Sequence, residues 1–228
     1  KNGLYKNYTE WINRKNIRNY EYQLGINSTP IYEKIFSKVK NDKLKILEIG
    51  VANGHSLASW HHYFPNSQIF GIDLKKPYKF FYKSKRVYYF SINIFDQEKI
   101  NNFINKHGKF DFIIDDSLNT KEAMFTNLKN FYPSVNKGGA YFLEDTGFYD
   151  LVQNAHKDIE LYNKNNNAKY FYDTSTINEI FNDIKNKNFK PNKVLDKNFL
   201  ENMYPTIKEV EFGKYDHPHA GMVIIYKH

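Results

Sequence analysis

The chain of 228 residues contains no cysteine, which excludes disulfide bonds, cysteine-ligated zinc and thiol nucleophiles. It is also poor in arginine, because only Arg14, Arg18 and Arg86 occur among its 33 basic residues. No apolar run approaches the roughly 20 residues that a membrane-spanning helix needs. No segment with the pattern of a signal peptide opens the sequence. We therefore expect a cytoplasmic protein with no membrane span.

The charge of the chain is a weak indicator of nucleic-acid binding. A formal net charge of +8 with an aromatic content of 18% is a combination found in many nucleic-acid-binding proteins. The charge comes mainly from lysines scattered among asparagines and aspartates, whereas arginine is the usual residue for bidentate recognition of bases and phosphates. We expect no nucleic-acid partner, although a positive field would favour an anionic acceptor such as a nucleotide-linked sugar.

The most informative stretch of the sequence is residues 45–56, which read KILEIGVANGHS. An apolar run typical of a buried strand is followed by glycines, and helical character resumes at Ser56. A strand, a tight glycine turn and a helix start form a ligand site at the carboxyl end of a parallel sheet. Gly50 and Gly54 would let the backbone approach that ligand, since a Cβ would clash there.

The surroundings of the glycines indicate which ligand is bound. A second strand-like run ends in Asp73, and an acid at this position commonly accepts hydrogen bonds from a ribose diol. A dinucleotide fingerprint requires G-x-G-x-x-G, but this chain has Ala52 at the middle position and Glu48 before the first glycine. A buried negative charge there would repel a pyrophosphate and suits a ligand that carries an ammonium group.

Strand-like and helix-like segments alternate along the chain, which predicts an α/β fold with a parallel sheet and helices on both faces. The length suits one domain over residues 1–228. We expect residues 1–27 to form an N-terminal arm or cap and residues 146–203 to form an insertion over the active face. The pattern further predicts helices that begin near Ser28 and span Asp96–Asn105, Thr120–Phe131 and Ile177–Ile184, a turn over Pro133–Gly139, and terminal strands over Ile207–Phe212 and Met222–Tyr226.

Two further strand-like runs end on pairs of carboxylates, Asp115 with Asp116 and Glu144 with Asp145. The carboxyl ends of parallel strands lie at one edge of a sheet, so we expect these acids to converge near the glycine turn. Carboxylates in one dry cleft repel each other unless protons or a cation neutralise them. Oxygen ligands suit a hard divalent ion such as Mg²⁺, and helix capping by these acids is the alternative.

These motifs resemble those of a known family. The pattern Glu48-x-Gly50-x-Ala52-x-Gly54 resembles motif I of the class I S-adenosylmethionine-dependent methyltransferases. Residues 112–116 and 133–145 are similar to the metal-dependent sugar O-methyltransferases of the demethylmacrocin and mycinamicin type, which modify macrolide sugars. The resemblance covers about residues 28–150 and the terminal hairpin. It implies a Rossmann-like, mostly parallel seven-stranded sheet with a C-terminal antiparallel hairpin.

The resemblance also implies cofactors and site residues. The cofactors are S-adenosylmethionine and Mg²⁺ or another hard divalent cation, with Asp116, Glu144 and Asp145 as the metal ligands. Glu48 would lie near the methionine end of the methyl donor and Asp73 at its ribose. The full set of expected cofactor contacts is Glu48, Gly50, Ala52, Asn53, Gly54, His55, Ser56, Asp73, Asn93 and Asp115.

The chain departs from this family at the general base. The family reads I-D-D-G-S-H and uses the histidine as the base, whereas residues 114–119 read IDDSLN here. Asn119 can hydrogen-bond a hydroxyl but cannot take its proton at neutral pH. The candidate replacements are His55, His217 and His219, or loss of the proton from a metal-bound hydroxyl to water.

The sequence thus predicts a Mg²⁺-dependent O-methyltransferase in which Asp116, Asn119, His217 and His219 are the candidate catalytic residues. The expected acceptor is a sugar hydroxyl of a nucleotide-linked sugar or heptose used in surface-polysaccharide or glycoside biosynthesis. The alternatives are a catechol-type small-molecule O-methyltransferase, an RNA-modifying or nucleic-acid-binding protein, and a non-catalytic cofactor-binding relic. The oligomeric state is left open, and a homo-oligomer is one possibility.

Overall fold

The computed structural model describes residues 28–75, 84–118, 120–146, 175–213 and 221–228. The strands are β1 (Lys45–Ile49), β2 (Gln68–Asp73), β3 (Val87–Ser91), β4 (Phe110–Asp115), β5 (Val135–Leu143), β6 (Ile207–Gly213) and β7 (Met222–Lys227). The α-helices are α1 (Thr29–Phe36), α2 (His55–Tyr63), α3 (Gln97–His107), α4 (Lys121–Phe131), α5 (Ile177–Lys185) and α6 (Lys197–Met203). Short 3₁₀ turns at Tyr132–Ser134 and Tyr204–Thr206 precede β5 and β6.

The strands form a single seven-stranded sheet in the order β3-β2-β1-β4-β5-β7-β6. From β3 to β5 all neighbours are parallel, and β7 runs antiparallel to both β5 and β6. The strand order changes direction between β1 and β4, which is where ligands bind in open parallel sheets. The prediction of a mostly parallel sheet that ends in an antiparallel hairpin is confirmed.

Alternate residues of each strand face two separate apolar cores, one on each side of the sheet. In β1, Ile46 belongs to the core that α1 and α2 cover, and Leu47 belongs to the core that α3 to α6 cover. In β4, Phe112 belongs to the first of these cores and Ile113 to the second. The predicted helices on both faces are therefore present, and the alternation also determines the face to which each residue at a strand end belongs.

Helices α3 to α6 begin after residues whose side chains cap the first turn. The Asp96 side chain accepts a hydrogen bond from the backbone N–H of Lys99 at 3.1 Å, so that α3 starts at Gln97. The hydroxyl of Thr120 caps α4 in the same way. The Thr176 hydroxyl and the Glu179 side chain form a reciprocal capping box at the start of α5. None of the helices in the described ranges combines the length and apolar character that crossing a bilayer requires.

Residues 175–203, the described part of the predicted insertion, pack into the core, where Ile180 and Phe181 of α5 and Leu200 of α6 are buried beside the sheet. One expectation from the sequence needs correction. The turn expected over residues 133–139 is largely strand, because β5 begins at Val135 and continues through two glycines to Leu143. Residues 1–27 and 147–174 lie outside the described residues, so the predicted arm and the rest of the insertion stay predictions.

Candidate active site

The expected site residues lie where β1, β2, β4 and β5 end, at one edge of the sheet. Gly50 follows β1, Asp73 is the last residue of β2, Asp116 follows β4 and Glu144 follows β5. In the sheet register Glu48 pairs with Ile114, and Ile114 pairs with Phe142, so that Asp116 and Glu144 are the next positions outward on the same face. The parallel topology therefore brings together residues that are about 100 positions apart in the sequence.

The glycine turn after β1 has a backbone that requires glycine at position 50. Gly50 has φ +90°, and a Cβ there would lie 2.0 Å from the carbonyl oxygen of Asp116. The Gly50 N–H donates to the carbonyl of Ile72 at 2.8 Å. Gly54 has φ +81° and directly precedes α2. At Gly50 the missing side chain makes room for the end of β4, and contact of Gly50 and Gly54 with a cofactor stays a prediction.

Asp73 closes this turn from the neighbouring strand. One of its carboxylate oxygens accepts hydrogen bonds from the backbone N–H groups of Val51 at 3.0 Å and Ala52 at 2.8 Å. The other accepts from the N–H of Lys75 at 2.8 Å. Each carboxylate oxygen has two acceptor sites, so these bonds leave capacity for a ribose hydroxyl. Ala52 has φ +46°, a conformation that favours glycine, at the position where the resembled family has glycine.

Glu48 is a buried carboxylate beneath the glycine turn, with 1% of its surface exposed. It accepts hydrogen bonds from the hydroxyl of Ser56 and from Trp60 Nε1, the latter at 2.8 Å. Burial raises the pKa of Glu48 to about 8, and the negative charges of Glu144 and Asp73 add to the effect. A cationic group nearby would favour the ionised carboxylate, so the site suits the ammonium group that the sequence predicted.

Asp115 and Asp116 are neighbours in sequence but lie on opposite faces of the sheet. Asp115 is fully buried and accepts hydrogen bonds from Tyr141 at 2.6 Å and Asn127 at 3.0 Å. Burial raises its pKa to about 6, against the lowering effect of the hydrogen bonds from Tyr141, Ser117 and Asn127. Both of its oxygens belong to this buried network beside α4, which gives no support to the expected contact with the cofactor.

The other three acids, Asp116, Glu144 and Asp145, are the residues that the sequence predicts as metal ligands. Desolvation, and then the charge of Glu144, raise the pKa of Asp116 although its side chain is exposed. Desolvation also raises the pKa of Glu144, whose Oε1 accepts a hydrogen bond from the hydroxyl of Tyr32. Burial raises the pKa of Asp145, a residue with φ +53°. These carboxyls therefore repel each other's negative charge, which protons or a cation would relieve.

The donor set fits a hard divalent cation by its chemistry but is not assembled as a coordination sphere. In the ranges that the structure describes, no three His, Asp or Glu side chains lie close enough together to hold a metal ion. Glu144 turns one oxygen to Tyr32 instead. Carboxylate oxygens are nevertheless the kind of protein ligand that Mg²⁺ takes. Metal ligation by Asp116, Glu144 and Asp145 accordingly stays a prediction.

The other expected site residues are less informative. Asn53 is exposed at the glycine turn, and His55 is the partly exposed first residue of α2. Asn93 lies in the turn after β3, where its side chain accepts from the N–H of Phe95 at 3.0 Å. Three of the candidate catalytic residues, Asn119, His217 and His219, lie outside the described residues.

The sequence reasoning missed an apolar component of this edge. Leu74, Phe95 and Leu118 are the exposed large hydrophobic residues of the described chain, with 68%, 48% and 57% of their surface exposed. Each follows the carboxyl end of a different strand, β2, β3 or β4. The available signal was an apolar residue within four positions of each of these strand ends. The edge thus combines acids with apolar side chains, as a site for an organic ligand requires.

Comparison with known proteins gives relatives that are named as O-methyltransferases. The chain is 30% identical to a tetracenomycin-C rhamnosyl 3'-O-methyltransferase of Streptomyces olivaceus and 31% identical to mycinamicin VI 2''-O-methyltransferase of Micromonospora griseorubida. It is 29% identical to demethylmacrocin O-methyltransferase of Streptomyces fradiae. Each match covers 124 residues, 51% of this chain and 31% of the relative. The chain thus spans about a third of the length of these relatives, and no family model matches it.

The solved structures agree on the fold. A methyltransferase from the mycinamycin biosynthetic pathway, in complex with Mg, SAH and mycinamycin VI, superposes with a TM-score of 0.64 at 20% identity. The superposition covers 88% of this chain and 49% of that one. A putative ribosomal RNA methyltransferase from Plasmodium falciparum gives a TM-score of 0.50 at 15% identity. The sheet order and these neighbours define the class I methyltransferase fold. Within that class the relatives confirm the resemblance to the sugar O-methyltransferases.

Proposed function

We propose that the chain functions as an S-adenosylmethionine-dependent, Mg²⁺-dependent O-methyltransferase that acts on a sugar hydroxyl. The observation that carries the proposal is the convergence of the acids at the edge of the sheet. Glu48 under the glycine turn, Asp116 after β4 and Glu144 after β5 share one face of the sheet. Relatives that are 29–31% identical over 124 residues are named as O-methyltransferases, and the name of one of them includes a rhamnosyl group.

The glycine turn supplies the site for the methyl donor. Asp73 holds the turn in shape through the N–H groups of Val51 and Ala52 and keeps capacity to accept from a ribose. Glu48 has a raised pKa in the absence of a cation, and it would be ionised beside the ammonium group of the methionine end. Leu74 and Phe95 offer exposed apolar surface beside Asp73 and β3 for the adenine.

The acids after β4 and β5 would hold the divalent cation. A cation bound by Asp116, Glu144 and Asp145 would lower the pKa of an acceptor hydroxyl and neutralise the charge that develops on its oxygen. The protein's part is to orient that oxygen towards the sulfonium methyl group, and no covalent nucleophile is required because the donor is already activated. The exposed side chain of Leu118, two positions after Asp116, would border the acceptor.

The acceptor that we propose is a small glycoside or activated sugar. The names of two relatives include a rhamnosyl group and an olivosyl group, which supports a glycoside as the acceptor. The net charge of +8 favours an anionic form of the acceptor, so a nucleotide-linked sugar or a heptose of surface-polysaccharide biosynthesis is the finer proposal. A cytoplasmic location agrees with the use of both cofactors and belongs to the same proposal.

The test is methyl transfer from labelled S-adenosylmethionine to a panel of acceptors with Mg²⁺ present. We expect turnover on glycosides or nucleotide-sugars, its loss in Asp116→Asn and its loss in excess EDTA. Asp183→Asn is the matched control, because Asp183 is an exposed carboxylate on α5. Full activity in excess EDTA would refute the metal role. Transfer only to catechols or only to RNA would replace the sugar by the corresponding alternative acceptor.

A further inference from the structure

Tyr32 links helix α1 to the acidic pair after β5. Its ring is 5% exposed and is stacked on Phe36 with 5.1 Å between centroids. It also contacts the edge of Trp60 at 5.0 Å and the ring of Phe142 at 5.5 Å. A ring packed on three sides has little rotational freedom, so the position of its hydroxyl is set by the apolar core.

The hydroxyl of this fixed ring donates to Oε1 of Glu144. Among the described residues no donor contacts Oε2 of the same carboxylate. Trp60, which packs against Tyr32, donates in the same manner to Oε2 of Glu48 at 2.8 Å. Glu48 and Glu144 are close enough for their charges to interact. The aromatic pair thus holds two mutually repelling carboxylates, each by one oxygen.

We propose that Tyr32 is a positioning residue for Glu144. Its hydroxyl occupies Oε1 and fixes the orientation of the carboxylate, which leaves Oε2 as the oxygen available to a divalent cation. This inference rests on the proposed function, since it assigns a role toward the predicted metal. A carboxylate that is hydrogen-bonded through one oxygen is a single-point ligand of fixed direction, and residues that orient ligands in this way commonly contribute tenfold or more to metal affinity.

The alternative is that Tyr32 only fills the core, with its hydroxyl satisfied by whatever acceptor is near. The positioning role and the structural role predict different effects of removing the Tyr32 hydroxyl. Tyr32→Phe keeps the ring and its contacts with Phe36, Trp60 and Phe142, so a purely structural role predicts a change in stability alone. A positioning role predicts a change in metal affinity that a change in stability does not explain.

The experiment measures binding of Mn²⁺ to the full chain by electron paramagnetic resonance and of Mg²⁺ by calorimetry, with S-adenosylhomocysteine present. We compare the unaltered chain with Tyr32→Phe and with Tyr63→Phe. Tyr63 is the matched control, because its hydroxyl also donates to a carboxylate, Glu33 Oε2 at 2.7 Å, on the solvent side of α2. Binding of S-adenosylhomocysteine itself and urea unfolding report whether each variant is folded.

We expect Tyr32→Phe to weaken Mn²⁺ binding about tenfold or more, while Tyr63→Phe leaves it unchanged and both variants bind S-adenosylhomocysteine normally. Equal Mn²⁺ affinity of Tyr32→Phe and the unaltered chain would overturn the positioning role and leave the proposed function standing. If the unaltered chain binds no divalent cation, the metal part of the proposed function fails, and this inference fails with it. In Glu144→Gln, the additional Tyr32→Phe change should have no further effect on Mn²⁺ binding.

Discussion

Gly50 and Asp116 are in backbone contact: a Cβ on Gly50 would lie 2.0 Å from the Asp116 carbonyl oxygen and 2.7 Å from the Cα of Ser117. The Asp116 N–H in turn donates to the carbonyl of Ile49 at 2.8 Å. The turn that would receive the methyl donor and the strand end that would hold the cation are therefore fitted to each other. Their relative position is set by the backbone and not by long side chains, which keeps the two halves of the site in one geometry.

Gly50→Ala should consequently be among the most damaging substitutions at this edge. The new Cβ must displace backbone, and φ +90° is strained for alanine, so we expect a loss of about 3 kcal/mol or more in the free energy of unfolding. Gly138→Ala is the control, because Gly138 has φ +79° with nothing within 4 Å of its Cβ position. The control should cost only about 1 to 2 kcal/mol. Urea unfolding gives both values, and equal losses would contradict the close contact.

Ala52→Gly should remove strain from the same turn. Ala52 has φ +46°, where a Cβ costs about 1 to 2 kcal/mol, and the greater flexibility of glycine in the unfolded chain offsets part of the gain. We expect the free energy of unfolding to rise by up to about 1 kcal/mol, with unchanged or tighter binding of S-adenosylhomocysteine.

Lys187→Gly is the matched control for this change, because Lys187 has φ +61° at the end of α5 and lies away from the glycine turn. It should gain similar stability with no effect on the cofactor. A clear loss of stability in Ala52→Gly would show that the positive φ is not strained.

The parts of the fold that follow from local chemistry were predictable. The helix starts after Asp96 and Thr120 depend on side chains that cap the next few N–H groups, so the signal is contained in four residues. The strand-helix alternation and the terminal hairpin depend on apolar periodicity, which short windows of sequence also contain. The edge at which Gly50, Asp73 and Asp116 meet follows from the parallel topology.

The parts that depend on contacts between distant segments were not predictable in the same way. Gly138 and Gly139 indicated a turn, but both residues lie within β5. Gly139 packs against the carbonyl of Asp111, and a Cβ on Gly139 would lie 2.2 Å from that oxygen. The hydrogen bond from Tyr32 to Glu144 spans 112 positions and has no local signature. The opposite orientation of Asp115 and Asp116 could have been predicted from the sequence, since adjacent residues of a strand face opposite sides of the sheet.

The buried imidazole of His61 predicts a stability of the fold that depends on pH. It is 8% exposed, its Nε2 lies 2.9 Å from the Ser84 hydroxyl, and burial lowers its pKa to about 4, with smaller effects of Arg86 and His62. The unfolded chain, with a pKa of 6.5 for this group, binds the proton more readily. Stability from the neutral imidazole is therefore present above pH 6.5 and is lost as the pH falls towards 4.

His61→Gln should remove this dependence. We expect the difference in unfolding free energy between the unaltered chain and His61→Gln to shrink by about 1 to 2 kcal/mol from pH 7 to pH 4, after allowance for solvent screening. His62→Gln is the control, since His62 is the exposed neighbour on the same helix. Urea unfolding at several pH values measures the slopes, and a slope that persists in His61→Gln would assign it to another group.

Asn119→His should raise the methyl-transfer rate if the proposed function is correct. The resembled family has a histidine base at this position, and an asparagine cannot accept the proton of the acceptor hydroxyl. General-base catalysis typically contributes 100-fold to 10,000-fold, and a base installed without other adjustment should recover about tenfold or more of that in kcat. The new rate should fall as the pH drops below about 6.5, the ordinary pKa of imidazole, because the protonated ring cannot act as the base.

Asn119→Gln is the control for a longer side chain without basicity. A rate in Asn119→His that does not exceed that of Asn119→Gln would indicate that the proton leaves by another route, with His55, His217, His219 or water as the acceptors to examine.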